Sequence, residues 1–199
     1  MAMKSAPRRT FARWVSAIVH PIAFPIITLA ALLLDATHSL PQTTRWLLIA
    51  LALTSLPITA LVVYQVARGH WTDLDVSVRR QRYLLYPFGL ACLASLALVY
   101  HWLQAPAVAV AATVSSVVAN LVDGIINFSY KVSAHATSAA ACATLLLHAV
   151  PLVGVIAAAA AALVGWSRVE LGRHTTGQVV LGMGVGVGSV VATLTVMAA

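Results

Sequence analysis

The sequence predicts an all-α integral membrane protein with about six to seven transmembrane helices in a single bundle. Of its 199 residues, 61% are hydrophobic and only 9% are charged, and the mean hydropathy is +0.93. A soluble domain carries about 25% charged residues, so this composition excludes an ordinary soluble protein. The apolar stretches are expected to be helices, because lipid offers no hydrogen-bond partner to an unpaired backbone group.

The number of spans follows from the apolar stretches, since a crossing needs about 20 mostly apolar residues. Seven stretches approach this length: 14–34, 46–67, 84–103, 106–127, 134–150, 151–167 and 175–198. The fifth and sixth are short. Residues 1–13 are predicted to be a basic cytoplasmic N-terminus and residues 14–199 a single membrane domain. The small residues of the last stretch predict close helix packing, with the alanine run 157–162 as the expected partner.

The first stretch follows several basic residues, as the core of a secretory signal does. It is too long for a signal core and lacks a persuasive small-residue cleavage site, so it is predicted to remain as a span. If every stretch crosses, the N-terminus and the loops 68–83, 128–133 and 168–174 share one side. These segments hold all but one of the 12 Lys and Arg residues, namely Lys4, Arg8, Arg9, Arg13, Arg68, Arg79, Arg80, Arg82, Lys131, Arg168 and Arg173. Only Arg45 faces the other side, which places the basic side in the cytoplasm.

The loop after the second stretch joins Asp73 and Asp75 to a run of arginines ahead of the third span. A basic loop that touches anionic lipid headgroups would account for it. The alternative is a phosphate site, with Arg82 and Arg79 as the expected contacts.

The fourth stretch carries a polar stripe. Asn120, Asp123 and Asn127 are spaced i, i+3 and i+7 and therefore share one face of a helix. The stripe is either a polar contact between helices or part of a site.

Two further polar clusters open the fifth and seventh stretches on the same predicted side. The first is Lys131-Val132-Ser133-Ala134-His135, and the second comprises Ser167, Arg168, His174 and Gln178. Charge at such positions is costly and usually functional. Hydroxyl and backbone N–H groups at a helix N-terminus form an anion site. Histidines, hydroxyls and cations together suit the transfer or hydrolysis of a phosphoryl group carried by a lipid.

The spacing within these clusters resembles the second and third signature motifs of the type 2 phosphatidic acid phosphatase superfamily, which includes lipid phosphate phosphatases and vanadium haloperoxidases. The resemblance covers residues 68–190 and is strongest from Ser167 to Gln178. Val132-Ser133-Ala134-His135 stands where the family has Pro-Ser-Gly-His. The loop 68–82 does not match the first motif, a Lys, six residues and then Arg-Pro, but is similar to a bacterial branch in which an Asp-x-Asp pair precedes a string of arginines.

The resemblance implies a role for each matching residue. His174 would be the nucleophile that forms a phosphohistidine, and His135 would protonate the leaving oxygen. The phosphate oxygens would be held by a cradle of residues comprising Arg168, Ser133, Lys131 and Arg82, with Ser167 beside Arg168 in the motif. No cofactor or metal is implied, and the sequence has no carboxylate cluster of the kind that binds one.

Gln178 departs from the family, which has an aspartate at this position to orient the nucleophile. The glutamine oxygen can accept the imidazole N–H but supplies no negative charge. Asp123 is the expected substitute, with Asp73 and Asp75 as alternatives.

The resulting expectation is a phosphatase of the cell (inner) membrane with its active site on the cytoplasmic side. It would hydrolyse a phosphomonoester or diphosphate on a polyprenyl or glycerolipid carrier, and no nucleic acid partner is expected. The alternative is a weak or inactive relative that binds polyprenyl phosphate or phospholipid headgroups without turnover.

Overall fold

The computed structural model describes residues 6–199, and Lys4 of the predicted basic N-terminus lies outside them. The helices are α1 (Ala6–Ile18), α2 (Ala23–Thr37), α3 (Leu40–Ala50), α4 (Leu56–Ala67), α5 (Arg82–Trp102), α6 (Ala107–Asn127), α7 (Ala134–Ala149), α8 (Pro151–Glu170) and α9 (Thr176–Ala198). A π-helical segment, Leu51–Ser55, joins α3 to α4, and a 3-10 turn, Arg79–Gln81, precedes α5. No strand occurs within the described range, so the all-α prediction is confirmed.

Within residues 6–199, five helices are long and apolar enough to cross a membrane: Leu40–Ala67, Arg79–Trp102, Ala107–Asn127, Pro151–Glu170 and Thr176–Ala198. The pair α1 and α2 makes a sixth if it is taken as one bent span. Helix α7, the predicted fifth span, has only 16 residues, which is short of the roughly 20 that a crossing needs.

The first predicted span, 14–34, is not one continuous helix. Helix α1 ends at Ile18, α2 begins at Ala23, and their axes differ by 50°. The break has a local cause, because Pro21 has no N–H to continue the helix and disfavours helical geometry at His20 before it. Helix α1 instead packs on the end of α8, where Arg8 pairs with Glu170 at 3.1 Å and Phe11 contacts Trp166.

Helix α7 lies at the centre and packs against α8, α9, α2 and α6. Its contact with α9 depends on glycine. A Cβ at Gly182 would lie 2.8 Å from the backbone oxygen of Ser133, and one at Gly186 would overlap the backbone oxygen of Thr137. The small-residue face of α9 therefore meets α7, and the expectation that it meets the alanine run of α8 was wrong.

The loops that follow α4, α6 and α8 meet at one end of the bundle. Lys131 Nζ donates to the backbone oxygen of Arg173 at 2.8 Å, and the Arg173 guanidinium donates to Ser77 Oγ at 2.9 Å. The polar clusters that the sequence placed on one side are thus in contact.

Candidate functional site

Two helix N-termini lie side by side at this end. Ser133 caps α7 by accepting the Ala136 N–H at 3.4 Å, and Thr175 caps α9 by accepting the Gln178 N–H at 3.3 Å. The Ser133 N–H donates to the Gln178 backbone oxygen at 3.3 Å and joins the two starts. Each N-terminus carries the positive end of a helix dipole, so the pair favours an anion in front of it.

His174 precedes the cap of α9 and is 6% exposed. Its Nδ1 lies 3.1 Å from Gln178 Oε1, which also accepts the Thr175 N–H at 3.2 Å. A glutamine oxygen can only accept a hydrogen bond, so Nδ1 carries the proton and Nε2 keeps its lone pair. Gln178 therefore contacts the His174 ring as the sequence predicts, and its orienting role in catalysis stays a prediction.

The pKa of His174 is lowered to about 3, first by burial and then by the cations Arg82, Lys131 and Arg168. The imidazole is consequently neutral at physiological pH, which is the state required of a nucleophile. The same crowding of positive charge acts on Lys131, whose pKa is lowered by burial and by Arg82, Arg168 and Arg173.

Arg82 and Arg168 are both buried at this end. Arg82 donates to the backbone oxygens of Val76 and Val132, at 2.8 Å each, and so ties the loop after α4 to the start of α7. Arg168 donates to Asp75 Oδ2 at 2.9 Å and to Ser16 Oγ at 2.7 Å. Both predicted phosphate contacts are therefore positioned by hydrogen bonds.

Other predicted phosphate contacts have structural partners. Arg79 donates to the carbonyls of Asn127 and Phe128, at the end of α6. Ser167 is fully buried and donates to Val164 within its own helix at 2.8 Å. The structure thus places Arg79 and Ser167 in contacts that hold α6 and α8.

Asp123, the expected substitute acid, pairs with another residue. Its Oδ1 accepts from Thr137 Oγ1 at 3.2 Å, whereas His174 pairs with Gln178. Asn127 turns instead toward Arg79 and donates to its backbone oxygen at 3.2 Å. The polar stripe of α6 is therefore shared between an interhelical contact and a loop contact.

A cavity of about 290 Å³ lies beside His135, between α2, α4, α5, α6 and α7. Its walls are largely apolar and include Ile26, Leu29, Ile58, Val62, Leu93 and Leu145. Its polar lining includes His20, Asp75, Arg82, Asp123 and His135. An apolar cavity with a few polar groups is the usual form of a small-molecule site, and this one is near the lower end of the ordinary size range of about 300–1,000 Å³.

Neither a family model, nor a curated protein, nor a solved structure matches this chain.

His20 and Ser16 also lie at the site, although no sequence motif predicted them. The rings of His20 and His135 pack edge to face, with centroids 5.4 Å apart. Pro21 was the available signal, because the helix break that it causes turns His20 inward.

His20, Asp75 and His135 also form a group of possible metal ligands, with one ligand atom of each within 4.8 Å of the others. Two imidazoles and a carboxylate suit a transition metal such as zinc. However, Asp75 is already paired with the Arg168 cation at 2.9 Å. Positive charge at such short range opposes a divalent cation and favours an anion in the site.

Proposed function

We propose that the chain is a multi-pass membrane protein that hydrolyses the phosphoryl group of a membrane lipid through a phosphohistidine on His174. The observation that carries the proposal is the state of His174: it is neutral, its Nδ1 is engaged by Gln178, and it sits where two helix N-termini and buried cations converge. That arrangement supports a nucleophile facing a bound phosphate.

The reaction proceeds in two steps. His174 Nε2 forms a bond to phosphorus as the bond to the lipid oxygen breaks, and His135 gives that oxygen a proton. Water then attacks the phosphohistidine, His135 takes the proton from the water, and the phosphorus–nitrogen bond breaks. Such chemistry depends mainly on positioning and charge stabilisation, which Arg82, Arg168 and Lys131 provide.

The lipid nature of the substrate is supported by the apolar helices and by the cavity. His135 must face the leaving oxygen, and the apolar cavity opens beside His135. The hydrocarbon part of the leaving group therefore has an apolar surface to occupy. A polyprenyl or glycerolipid phosphate meets these requirements.

The proposed orientation puts the site on the cytoplasmic face of the cell membrane. Basic residues of the described loops and of α1 collect at the site end, which the positive-inside rule assigns to the cytoplasm. Phe11, Trp14 and Ile18 of helix α1 lie on the surface of the protein, and each is more than half exposed. With Arg9 and Arg13 beside them, these residues suit a helix lying in the membrane interface.

A second candidate function is the binding of lipid phosphate without turnover. It is favoured by one observation: the orienting group of His174 is the uncharged Gln178, and Asp123 pairs with Thr137. Neither Gln178 nor Asp123 would then supply a negative charge to an imidazolium formed at His174.

The two functions are distinguished by measuring phosphate release from purified protein in lipid nanodiscs. The substrates are phosphatidate, polyprenyl phosphate and polyprenyl diphosphate. The phosphatase is supported if His174→Ala releases no phosphate and the control His101→Ala releases it normally. Rapid quenching of the unmodified protein should then also trap a phosphoenzyme. Tight binding of these lipids without release selects the binding protein. A phosphoenzyme formed by His174→Ala would overturn the assignment of the nucleophile.

A further inference from the structure

Arg168 is held by acceptors from two other elements of the protein. Its Nη1 group donates to Ser16 Oγ of α1 at 2.7 Å and to Asp75 Oδ2, in the loop after α4, at 2.9 Å. A guanidinium is planar and carries its N–H groups in fixed directions. Two acceptors on one nitrogen therefore set the orientation of the whole group, including its other N–H groups.

The Nε–H of Arg168 is left for a further partner. Arg168 is only 1% exposed, and its Nε has no hydrogen-bond partner within the described part of the chain. A buried N–H of a cation without an acceptor is costly, so an acceptor from a ligand is expected. Arg168 also lies next to His174, because its backbone oxygen accepts the His174 N–H at 3.2 Å. A phosphate bound in front of His174 would supply that acceptor.

Ser16 reaches Arg168 because it lies on the buried face of α1. Ala12, Val15 and Ser16 are spaced i, i+3 and i+4, so they share one side of the helix, and all three are buried. A hydroxyl inside a helix commonly donates to a carbonyl of its own helix, as that of Ser116 does at 2.8 Å. The Ser16 hydroxyl instead accepts from a cation of α8, so this contact joins α1 to the site.

We infer that Ser16 is a positioning residue that acts through Arg168: together with Asp75 it holds the guanidinium so that the Nε–H faces the bound phosphate. The inference rests on the proposed function, which places a phosphate in front of the two helix N-termini. Without the Ser16 hydroxyl, the Asp75 contact alone does not fix the plane of the guanidinium. The Nε–H is then no longer directed at the phosphate.

The first measurement is the affinity of the protein in lipid nanodiscs for inorganic phosphate, by isothermal titration calorimetry. Ser16→Ala should raise the Kd for phosphate about tenfold, because hydrogen bonds to charged groups have effects of this size. Val15→Ala is the matched control. Val15 lies beside Ser16 on the same buried face, so this change weakens the packing of α1 without removing a contact of Arg168, and the Kd should stay unchanged. An unchanged Kd in Ser16→Ala, or an equal rise in both variants, would overturn the inference.

The NMR signal of the Arg168 Nε–H separates positioning from a purely structural role. In protein made with isotope-labelled arginine, this resonance is assigned by its absence from Arg168→Gln. Saturating phosphate should shift it in the unmodified protein and in Val15→Ala, and much less in Ser16→Ala. If Ser16→Ala does not fold, the unmodified protein still decides the question, because a resonance that saturating phosphate leaves in place contradicts the inference.

Turnover of phosphatidate or a polyprenyl phosphate keeps this inference distinct from the proposed function. Ser16→Ala should lower kcat/KM about tenfold relative to Val15→Ala, since the lost contact acts on the phosphate. Phosphate binding through Arg168 without any release from these lipids would remove the phosphatase assignment and leave the role of Ser16 in place. Normal turnover by Ser16→Ala would have the opposite meaning.

Discussion

The Gln178 side chain makes two kinds of contact, one with His174 and one with the start of α9. Its Oε1 fixes the His174 ring and completes the capping box of α9. Glutamate at this helix position also serves a capping box and adds the missing charge, so Gln178→Glu should raise kcat. Gln178→Leu should lower kcat about a hundredfold or more, as loss of an orienting group does in hydrolytic triads. Phosphate release measures both, and full activity in Gln178→Leu would show that Gln178 does not orient His174.

The pH dependence of activity should reflect the low pKa of His174. Because that pKa is lowered to about 3, the ring stays neutral above about pH 4, and no acid limb of kcat/KM in the range of pH 5 to 7 should arise from it. Lys131→Met removes one of the cations that lower it, so the His174 pKa should rise toward its ordinary value. The quantity to measure is the pH at which kcat/KM falls on the acid side, and not the maximum value of kcat/KM. An unmoved limb in Lys131→Met would contradict this account.

The pairing of Asp75 with Arg168 predicts a stability difference between neighbouring aspartates. Asp75→Asn leaves the buried Arg168 without its ion pair, which should lower the free energy of unfolding by about 3 kcal/mol. Asp73→Asn is the matched control, because Asp73 faces the exposed Arg173 at 3.9 Å and such pairs contribute about 0–1 kcal/mol. Thermal unfolding in detergent measures the loss of stability in both variants. Equal losses would show that the buried pair contributes no more to stability than the exposed pair.

The residues that the sequence could predict are those tied to a local pattern. His174 and Gln178 lie one helical turn apart, and His135 follows a capping serine, so spacing alone placed them at helix starts. Arg79 and Asp123 had the right residue types, but their partners, the end of α6 and Thr137, are set by packing between helices. Periodicity within one helix does not report such partners.

At the level of the element, the contact of α9 with α7 predicts a sharp difference between two glycines. Gly186→Ala places a methyl group against the Thr137 backbone and should destabilise the protein by about 1–3 kcal/mol, as overpacking does. It should also lower kcat by shifting the two helix starts. Gly184→Ala is the control, because a Cβ there meets nothing within 4 Å. Thermal unfolding and turnover should change together in Gly186→Ala alone, and equal effects would argue against the tight contact.

The helices themselves were largely predictable, and the exception has a clear cause. Hydropathy located the helical stretches because apolar length is what a span requires. Summed hydropathy is insensitive to a proline, so residues 14–34 were expected to form one helix although Pro21 interrupts them. The same break supplies His20 to the site, so the error in the element and the missed site residue have one origin.

At the level of the whole molecule, the proposed orientation predicts which surface a reagent can reach. After Cys92→Ala and Cys142→Ala, Ser129→Cys lies at the site end and Thr44→Cys at the opposite end, and both positions are exposed. An impermeant thiol reagent added to intact cells should label Thr44→Cys and spare Ser129→Cys until the membrane is opened. The reverse pattern would move the site to the outer face.

The link between the starts of α7 and α9 consists of a backbone amide and a backbone carbonyl, from Ser133 and Gln178. Apart from proline at the donor position, any residue supplies those groups. This one link between the helix starts therefore does not depend on which side chains surround the two histidines. Substitutions that change the leaving group or the rate can leave this backbone link in place.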